Sequence, residues 1–196
     1  MSLCHWLVLL VAAQRLGEVA WARRNERRLR AAGGVEIGAR HYPLFFVLHG
    51  SWLAALWLLV AADAPVIWPL LVLFGLLQAA GVWVIACLGR YWTTRIISVP
   101  GTPLVLRGPY RWLKHPNYLV VAGEIAILPL AFGAWPVALV FSAFNGLLLR
   151  HRIRVEDAAL APRGALCRDR RARGADCRER RQPRSTTLEH WPPSGR

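Results

Sequence analysis

The sequence predicts an all-α protein, a polytopic integral membrane helical bundle of about five transmembrane helices with a C-terminal cytoplasmic helix. Of its 196 residues, 55% are hydrophobic, and the mean hydropathy of +0.32 is high for a soluble domain. The apolar residues form runs long enough to cross a bilayer, which takes about 20 residues per helix. We assign residues 1–161 to a membrane domain and residues 162–196 to an Arg-rich, disordered tail.

The positive charge of the chain follows a membrane topology and not the pattern of a nucleic-acid-binding protein. Lys and Arg number 25 against 11 Asp and Glu, which gives a net charge of +14. The positive side chains occupy the tail and the gaps between apolar runs, and Lys114 is the only lysine. We therefore predict membrane lipids as partners and no nucleic acid.

The first predicted span covers residues 3–21. No Lys or Arg precedes it, so we interpret it as a retained helix and not as a signal peptide. Arg15 and Glu18 lie one turn apart within it, and a charge at the bilayer centre costs about 2.5–3.5 kcal/mol. The two side chains are therefore expected to pair or to face protein. A basic loop follows at 22–43, in which residues 23–30 are expected to extend the helix over lipid headgroups.

Two further spans follow at residues 44–62 and 66–88. The connection between them is short and carries no basic residue, so the two spans are predicted to form an antiparallel hairpin. Residues 89–117 form a second basic loop, which repeated Pro and Gly prevent from being a regular helix. Such a segment beside a membrane is tolerated where protein or water satisfies its backbone, which is the setting of a pocket.

The next apolar stretch, residues 118–150, is too long for one span. Two prolines with a glycine between them divide it into a helical hairpin with arms at about 118–131 and 135–150. Each arm is short, so one is expected to be tilted or partly inserted. Glu124 lies inside the first arm, where it has either a structural partner such as Asn145 or a catalytic role.

The distribution of Lys and Arg also predicts the orientation of the chain. The loops at 22–43 and 89–117 and all residues after 150 are basic, whereas the other two connections are not. Because cytoplasmic loops carry the excess of positive charge, we predict that the N-terminus lies outside and the C-terminus in the cytoplasm.

The cysteines indicate neither a metal site nor a disulfide framework. The four are Cys4, Cys87, Cys167 and Cys177, and none forms a Cys-x-x-Cys pair. No His lies at the spacing typical of zinc ligands. We therefore predict that the protein binds no metal.

Two polar clusters interrupt the apolar pattern, and we expect them to meet and close over a charged small molecule. They are Arg107-Gly-Pro-Tyr-Arg-Trp-Leu-Lys-His-Pro-Asn-Tyr118 and Arg152-Ile-Arg-Val-Glu-Asp-Ala-Ala-Leu160. Arg152 and Glu156 are four residues apart, so they share one helix face. The aromatic faces of Tyr110 and Tyr118 suit a cation, and Glu156 suits an ammonium group. Lys114 or His115 suits a carboxylate.

Ordinary structural explanations of the same residues stay open at this point. His115 ahead of Pro116 is also compatible with the cap of a helix. The aromatic residues of the first cluster are also typical of an interfacial belt. Glu156 and its acidic neighbour are also compatible with a solvated helix face. The two clusters together favour the binding site.

Over residues 66–160 the chain resembles the isoprenylcysteine carboxyl methyltransferase family. The resemblance is carried by Gly108-Pro-Tyr-Arg-Trp-Leu-Lys-His-Pro-Asn-Tyr118 and by Arg152-x-x-x-Glu156-Asp157-x-x-Leu160. Arg24-Asn25, Gly38 and His41-Tyr-Pro43 resemble a microbial branch of that family, thought to act on small lipidic products. The combination of both motifs around a helical hairpin is more specific than His-Pro-x-Tyr alone.

The resemblance implies an intramembrane enzyme that uses S-adenosyl-L-methionine, and it also implies the residues that bind it. The expected cofactor-binding residues are Thr102, Pro103, Leu104, Val105, Tyr110, His115, Pro116, Asn117, Tyr118 and Glu156. Arg152 is expected to face the acidic group of the substrate and to serve catalysis. The acceptor is either the carboxylate of an isoprenylcysteine-like substrate or an acidic hydroxyl of a lipophilic molecule.

Two other functions remain as alternatives. Membrane sterol-reductase-like enzymes that use NADPH carry a similar His-Pro-Asn-Tyr element. A non-enzymatic membrane scaffold, binding acidic lipids through its basic loops, explains the charge but not the two spaced motifs. The cluster of Arg152, Glu156 and Asp157 favours the methyltransferase.

Overall fold

The computed structural model describes residues 2–39, 42–100, 102 and 105–172, and for residues 162–172 it describes only the course of a helix. This part of the chain contains five helices and two short strands. In order they are α1 (Leu3–Ala31), β1 (Val35–Ile37), α2 (Tyr42–Leu59), α3 (Trp68–Leu88), β2 (Ile96–Ser98), α4 (Pro116–Ala131) and α5 (Trp135–Ala172). The predicted all-α membrane bundle is confirmed.

Three of these helices are long and apolar enough to cross a membrane. In the described part of the chain they are α1, α2 and α3 together with the 3-10 turn that follows it, whereas α4 is a shorter apolar helix. The first half of α5 is apolar and its second half polar. The structure thus contains both arms of the predicted hairpin as α4 and the start of α5, joined through Gly133 at φ 70°.

The core of the bundle lies where α1, α2, α3, α4 and the start of α5 meet. Its buried side chains include Val11 of α1, Trp52 and Leu56 of α2, and Ile125 and Leu128 of α4. In contrast, many large apolar side chains point outward on the same helices; they include Leu10, Leu16, Leu58, Val72, Leu76 and Leu147. An outer surface this apolar is stable only where lipid covers it, as in a membrane-spanning bundle.

Helix α1 extends well beyond the predicted span and confirms the helical extension at 23–30. Its last turns have a buried side and a basic side: Asn25 and Glu26 are buried, while the arginines around them are exposed. The Asn25 amide donates hydrogen bonds to the carbonyls of Gly89, at 3.1 Å, and Trp92, at 2.9 Å. These bonds attach the end of α1 to the segment that follows α3.

The two strands were not predicted from the sequence. β1 pairs antiparallel with β2, with Glu36 opposite Ile97, so the two basic loops are joined by backbone hydrogen bonds. Arg95 contacts Glu36 at 2.6 Å, and Arg30 forms a second ion pair with the same carboxylate. Burial acts to raise the pKa of Glu36, but the hydrogen bonds from both guanidinium groups outweigh it and lower that pKa. The ion pairs hold the strand pair against the end of α1.

A polar network crosses the interior of the bundle at Arg15. As predicted, Arg15 pairs with Glu18, at 2.6 Å, and it also forms an ion pair with Glu124 of α4. Gln14 donates hydrogen bonds to Glu18, at 2.9 Å, and to Gln78 of α3, at 3.0 Å. The partner of Glu124 is therefore Arg15 and not Asn145.

The predicted boundary of the tail does not coincide with the end of a helix. Helix α5 continues past residue 161 to Ala172. Residues 173–196 lie outside the described residues, so a separate tail beginning at residue 162 stays a prediction.

We expect the Arg15→Met variant to be less stable by about 3–5 kcal/mol, because it leaves the Glu124 carboxylate buried without its partner. The double variant Arg15→Met, Glu124→Gln removes the more deeply buried of the two carboxylates that Arg15 contacts and should recover part of that loss. Thermal unfolding of both variants in detergent micelles measures the difference. Equal losses in the two would show that the ion pair does not determine the stability of this region.

Candidate functional site

A cavity of about 680 Å³ opens between the ends of the helices on the side of the two basic loops. Its walls come from α1, α2, the segment 91–97, the second basic loop, the start of α4, and α5. The volume lies within the range of about 300–1,000 Å³ that is usual for small-molecule sites. The irregular loop and the helix ends therefore form a pocket, as the sequence predicts.

Most of the residues predicted to form the site lie in the wall of this cavity. They are Val105, Tyr110, His115, Asn117, Tyr118, Arg152 and Glu156. Pro116 is buried as the first residue of α4 and is not among the lining residues. Thr102 donates a hydrogen bond to the Val99 carbonyl at 2.7 Å and does not line the cavity either. Pro103 and Leu104 lie outside the described residues.

The phenol of Tyr118 connects the two polar clusters. Its hydroxyl donates a hydrogen bond to the Glu156 carboxylate and accepts one, at 2.8 Å, from Nε of Arg152. Arg152 and Glu156 thus lie on the same face of α5, as their spacing of four predicts. Arg152 is 8% exposed, and Nη2 of its guanidinium donates to the Thr94 carbonyl at 2.7 Å.

A second contact joins the same two clusters nearer to solvent. Asp157 accepts from Nζ of Lys114, at 2.7 Å, and lies 2.9 Å from Nε2 of His115. The hydrogen bond from Lys114 and then that from His115 lower the pKa of Asp157. The His115 ring is also stacked on Tyr118, with the centroids 5.2 Å apart. We call the contact of Lys114 and His115 with Asp157 the outer latch.

The position of Tyr110 depends on the glycine two residues before it. Gly108 has φ 54°, a backbone conformation that residues other than glycine rarely adopt. A Cβ at this position would also overlap Sγ of Cys87. The 3-10 turn that starts at Gly108 presents the Tyr110 ring to the cavity. Burial, and then the nearby Glu156, raise the pKa of Tyr110. Tyr110 is therefore a neutral phenol at physiological pH and offers an aromatic face to a ligand.

Further parts of the wall come from residues that the sequence analysis did not place at the site. Tyr42 at the start of α2 forms a hydrogen bond of 2.8 Å with the Thr94 hydroxyl, and Arg95 lies over its ring at 4.2 Å. The ring of Phe45 lies 5.2 Å from the Arg152 guanidinium. Tyr42 belongs to a motif noted for the resemblance, but nothing in the sequence placed it beside α5.

The chemistry of this wall suits a ligand with both charged and apolar parts. Its charged groups include Glu156, Lys114 and Asp157, of which Lys114 and Asp157 lie nearest solvent, and the buried Arg152. The rings of Phe45 and Phe46, with Val121 and Leu149, provide apolar surface. Among the described residues, no group of three or more His, Cys, Asp or Glu is arranged to hold a metal ion.

Two comparisons relate the chain to known proteins. Residues 69–162 match the isoprenylcysteine carboxyl methyltransferase (ICMT) family, a stretch that contains both polar clusters. The chain is 41% identical over 160 residues to the uncharacterized protein YpbQ of Bacillus subtilis (strain 168). The matched stretch covers 79% of this chain and 95% of that protein. No solved structure matches the chain.

We expect the Asp157→Asn variant to be cut by trypsin several-fold faster at Arg107 and Arg111, because Lys114 and His115 lose the carboxylate that holds the loop. The pKa of Asp157 is lowered, so its contribution is full above its ordinary value of 3.8 and is lost only as the pH falls through the lowered pKa. The latch is therefore intact at the pH of the digestion.

The matched control for this digestion is Asp63→Asn, which removes an exposed carboxylate from the connection between α2 and α3. The cleavage rates follow from gel electrophoresis over time. If Asp157→Asn and Asp63→Asn are cleaved at the wild-type rate, the latch does not hold the loop.

Proposed function

This chain belongs to the isoprenylcysteine carboxyl methyltransferase (ICMT) family of membrane methyltransferases, and from that premise we propose that it transfers the methyl group of S-adenosyl-L-methionine to an oxygen of a lipophilic acceptor. The observation that carries the proposal is the bonding of one phenol, that of Tyr118, to both Arg152 and Glu156. It brings the two family motifs together at one cavity wall.

The residues of the outer wall fit the charges of S-adenosyl-L-methionine. When bound, this group supplies an electrophilic methyl on a sulfonium sulfur, and it also carries an ammonium and a carboxylate. Tyr110 and Tyr118 offer aromatic faces for the sulfonium cation. The Glu156 carboxylate suits the ammonium group. Asn117 and the backbone around Val105 complete the proposed cofactor wall.

We propose a more specific place for the cofactor's carboxylate than the sequence suggested. Either Lys114 or His115 was expected to bind it, and both contact Asp157. We propose that the cofactor carboxylate binds at the inner side of the latch, where His115 is 14% exposed and Lys114 is 65% exposed. His115 is then the principal contact, and Lys114 adds charge from the solvent side.

Arg152 is proposed to receive the acceptor. Its guanidinium is held by Tyr118 and Thr94 and lies against Phe45, so its orientation is fixed before any ligand binds. A cation fixed in this way attracts an acceptor oxygen that carries negative charge. Alignment of two reactants can contribute roughly 7–11 kcal/mol, so the site needs no nucleophilic side chain.

The apolar helices favour an acceptor that reaches the cavity from the bilayer. Phe46 is 43% exposed and borders both the outer surface of α2 and the cavity. A lipid chain can therefore remain in apolar surroundings while the oxygen at its end reaches Arg152. This supports a prenylated or otherwise lipophilic substrate over a freely soluble one.

We expect purified protein in detergent to bind S-adenosyl-L-methionine, and we expect His115→Ala and Glu156→Ala each to weaken that binding at least about tenfold, equivalent to roughly 1.4 kcal/mol. Each variant removes a polar partner of the cofactor. Isothermal titration measures the affinity, and Asp63→Ala is the control for the loss of a carboxylate. Wild-type affinity in both site variants would contradict the proposal, and binding of NADPH in place of S-adenosyl-L-methionine would favour a reductase.

We also propose that the basic loops and α5 face the cytoplasm and that the N-terminus lies outside. The exposed arginines on the last turns of α1 support this orientation, because cytoplasmic segments carry the excess of positive charge. A protease-cleavable tag at the C-terminus should be cut in inverted vesicles and protected in intact cells. Cleavage in intact cells would reverse the orientation.

A further inference from the structure

His49 is a chemically reactive side chain in the cavity that neither family motif contains. It is half-buried on α2, and its ring lines the same cavity as Arg152 and Tyr118. It lies one helical turn beyond Phe45, whose ring contacts the Arg152 guanidinium. His49 therefore borders the place where the acceptor oxygen is proposed to bind.

The hydrogen bond of His49 identifies which ring nitrogen carries the proton. Nδ1 lies 2.8 Å from the carbonyl oxygen of Phe45. A carbonyl only accepts hydrogen bonds, so Nδ1 must be the donor. In the neutral ring the other nitrogen, Nε2, is then an unprotonated acceptor. Within the described part of the chain, no hydrogen bond to Nε2 is present, so it is available to a ligand.

We propose that His49 is the general base of the reaction and removes the proton of an acceptor hydroxyl through Nε2. The inference rests on the proposed methyltransferase function and makes it more specific. A carboxylate acceptor is already ionised at pH 7 and has no proton to give. A hydroxyl is a poor nucleophile until its proton leaves, so a base beside the acceptor has a use only for a hydroxyl.

The proposed step is a direct transfer of the methyl group from sulfur to oxygen, in which His49 takes the hydroxyl proton. The acceptor oxygen forms a bond to the methyl carbon, and the carbon–sulfur bond of the sulfonium breaks with its electron pair going to sulfur. The hydroxyl proton passes to Nε2, so the acceptor becomes a neutral methyl ether and His49 an imidazolium. The imidazolium then releases its proton to water when the cavity opens.

The charged neighbours of His49 act in opposite directions on a ring that becomes positive: Arg15 disfavours the charge and Glu18 favours it. Arg15 and Glu18 of α1 line the same cavity and are its electrostatic neighbours. Arg15 is neutralised by its ion pairs with Glu18 and with Glu124 of α4. On the opposite wall Arg152 stabilises the oxygen as it becomes negative. The developing negative charge on the acceptor oxygen is thus matched by Arg152, whereas the ring of His49 has both a cation, Arg15, and a carboxylate, Glu18, beside it.

The test compares two acceptors in wild-type protein and in His49→Gln. The hydroxyl probe is a 4-nitrophenol carrying a dodecyl chain, whose neutral and ionised forms absorb at different wavelengths. The carboxylate probe is N-acetyl-S-farnesyl-cysteine. Because a general base contributes roughly 10²–10⁴-fold, the variant should methylate the phenol at least about 100-fold more slowly at a pH below the probe's own pKa. Methylation of the carboxylate probe should change by less than about threefold.

Two further readouts separate proton removal from a merely structural role. Raising the pH above the probe's own pKa supplies the ionised phenol, so the rate of His49→Gln should recover. In the presence of S-adenosylhomocysteine, the wild-type protein should bind the probe with the absorbance of the ionised form, and His49→Gln should bind it as the neutral phenol. His5→Gln is the control, since His5 packs against Trp57 and does not line the cavity.

Different results would overturn the role of His49 and the methyltransferase function. A wild-type rate on the phenol in His49→Gln would overturn the role of His49, as would equal losses on both acceptors. Wild-type protein that methylates only the carboxylate probe would also overturn it while leaving the methyltransferase intact. Absence of S-adenosyl-L-methionine binding in wild-type protein would overturn both.

Discussion

The site depends on the two hydrogen bonds of the Tyr118 hydroxyl. One oxygen atom donates to Glu156 and accepts from Arg152, and in this way it fixes the start of α4 against the polar half of α5. Charge-assisted hydrogen bonds of this kind are about twice as strong as neutral ones. Without these bonds, Glu156 and Arg152 would be free to form an ion pair with each other across one helical turn. Neither side chain would then be oriented toward a ligand. The proposed separation of cofactor and acceptor follows from this one phenol.

The sequence was sufficient to predict those features of the fold and of the site that depend on a local pattern of residues. The apolar runs predicted the helices, and the spacing of Arg152 and Glu156 predicted their shared face. The glycine and prolines between residues 89 and 117 predicted an irregular wall. The pairing of Arg15 with Glu18 followed from the cost of burying a charge. Each of these predictions needs only residues that are neighbours in the chain or in a helix.

The parts that the sequence could not predict depend on contacts between distant segments. Three-residue strands carry too short a pattern to be recognised, and β1 and β2 exist because the end of α1 and the end of α3 are held together by Asn25. Thr94 enters the site through its backbone carbonyl, which has no sequence signature. His49 looks like an ordinary residue of an apolar helix until α1 and α5 are packed beside it. The ion pair of Arg15 with Glu124 likewise required the arrangement of α1 against α4.

The outer latch has a consequence for how ligands enter and leave the cavity. Asp157 and Lys114 are among the more exposed side chains of the cavity wall, whereas Arg152 lies deep beside the apolar rings of α2. We therefore expect that breaking the latch opens the cavity to water without disturbing the lipid-facing rings. For the proposed reaction, the hydrophilic cofactor and the lipophilic acceptor would then use different openings, and the used cofactor could leave while the alkyl chain of the product is still in the membrane.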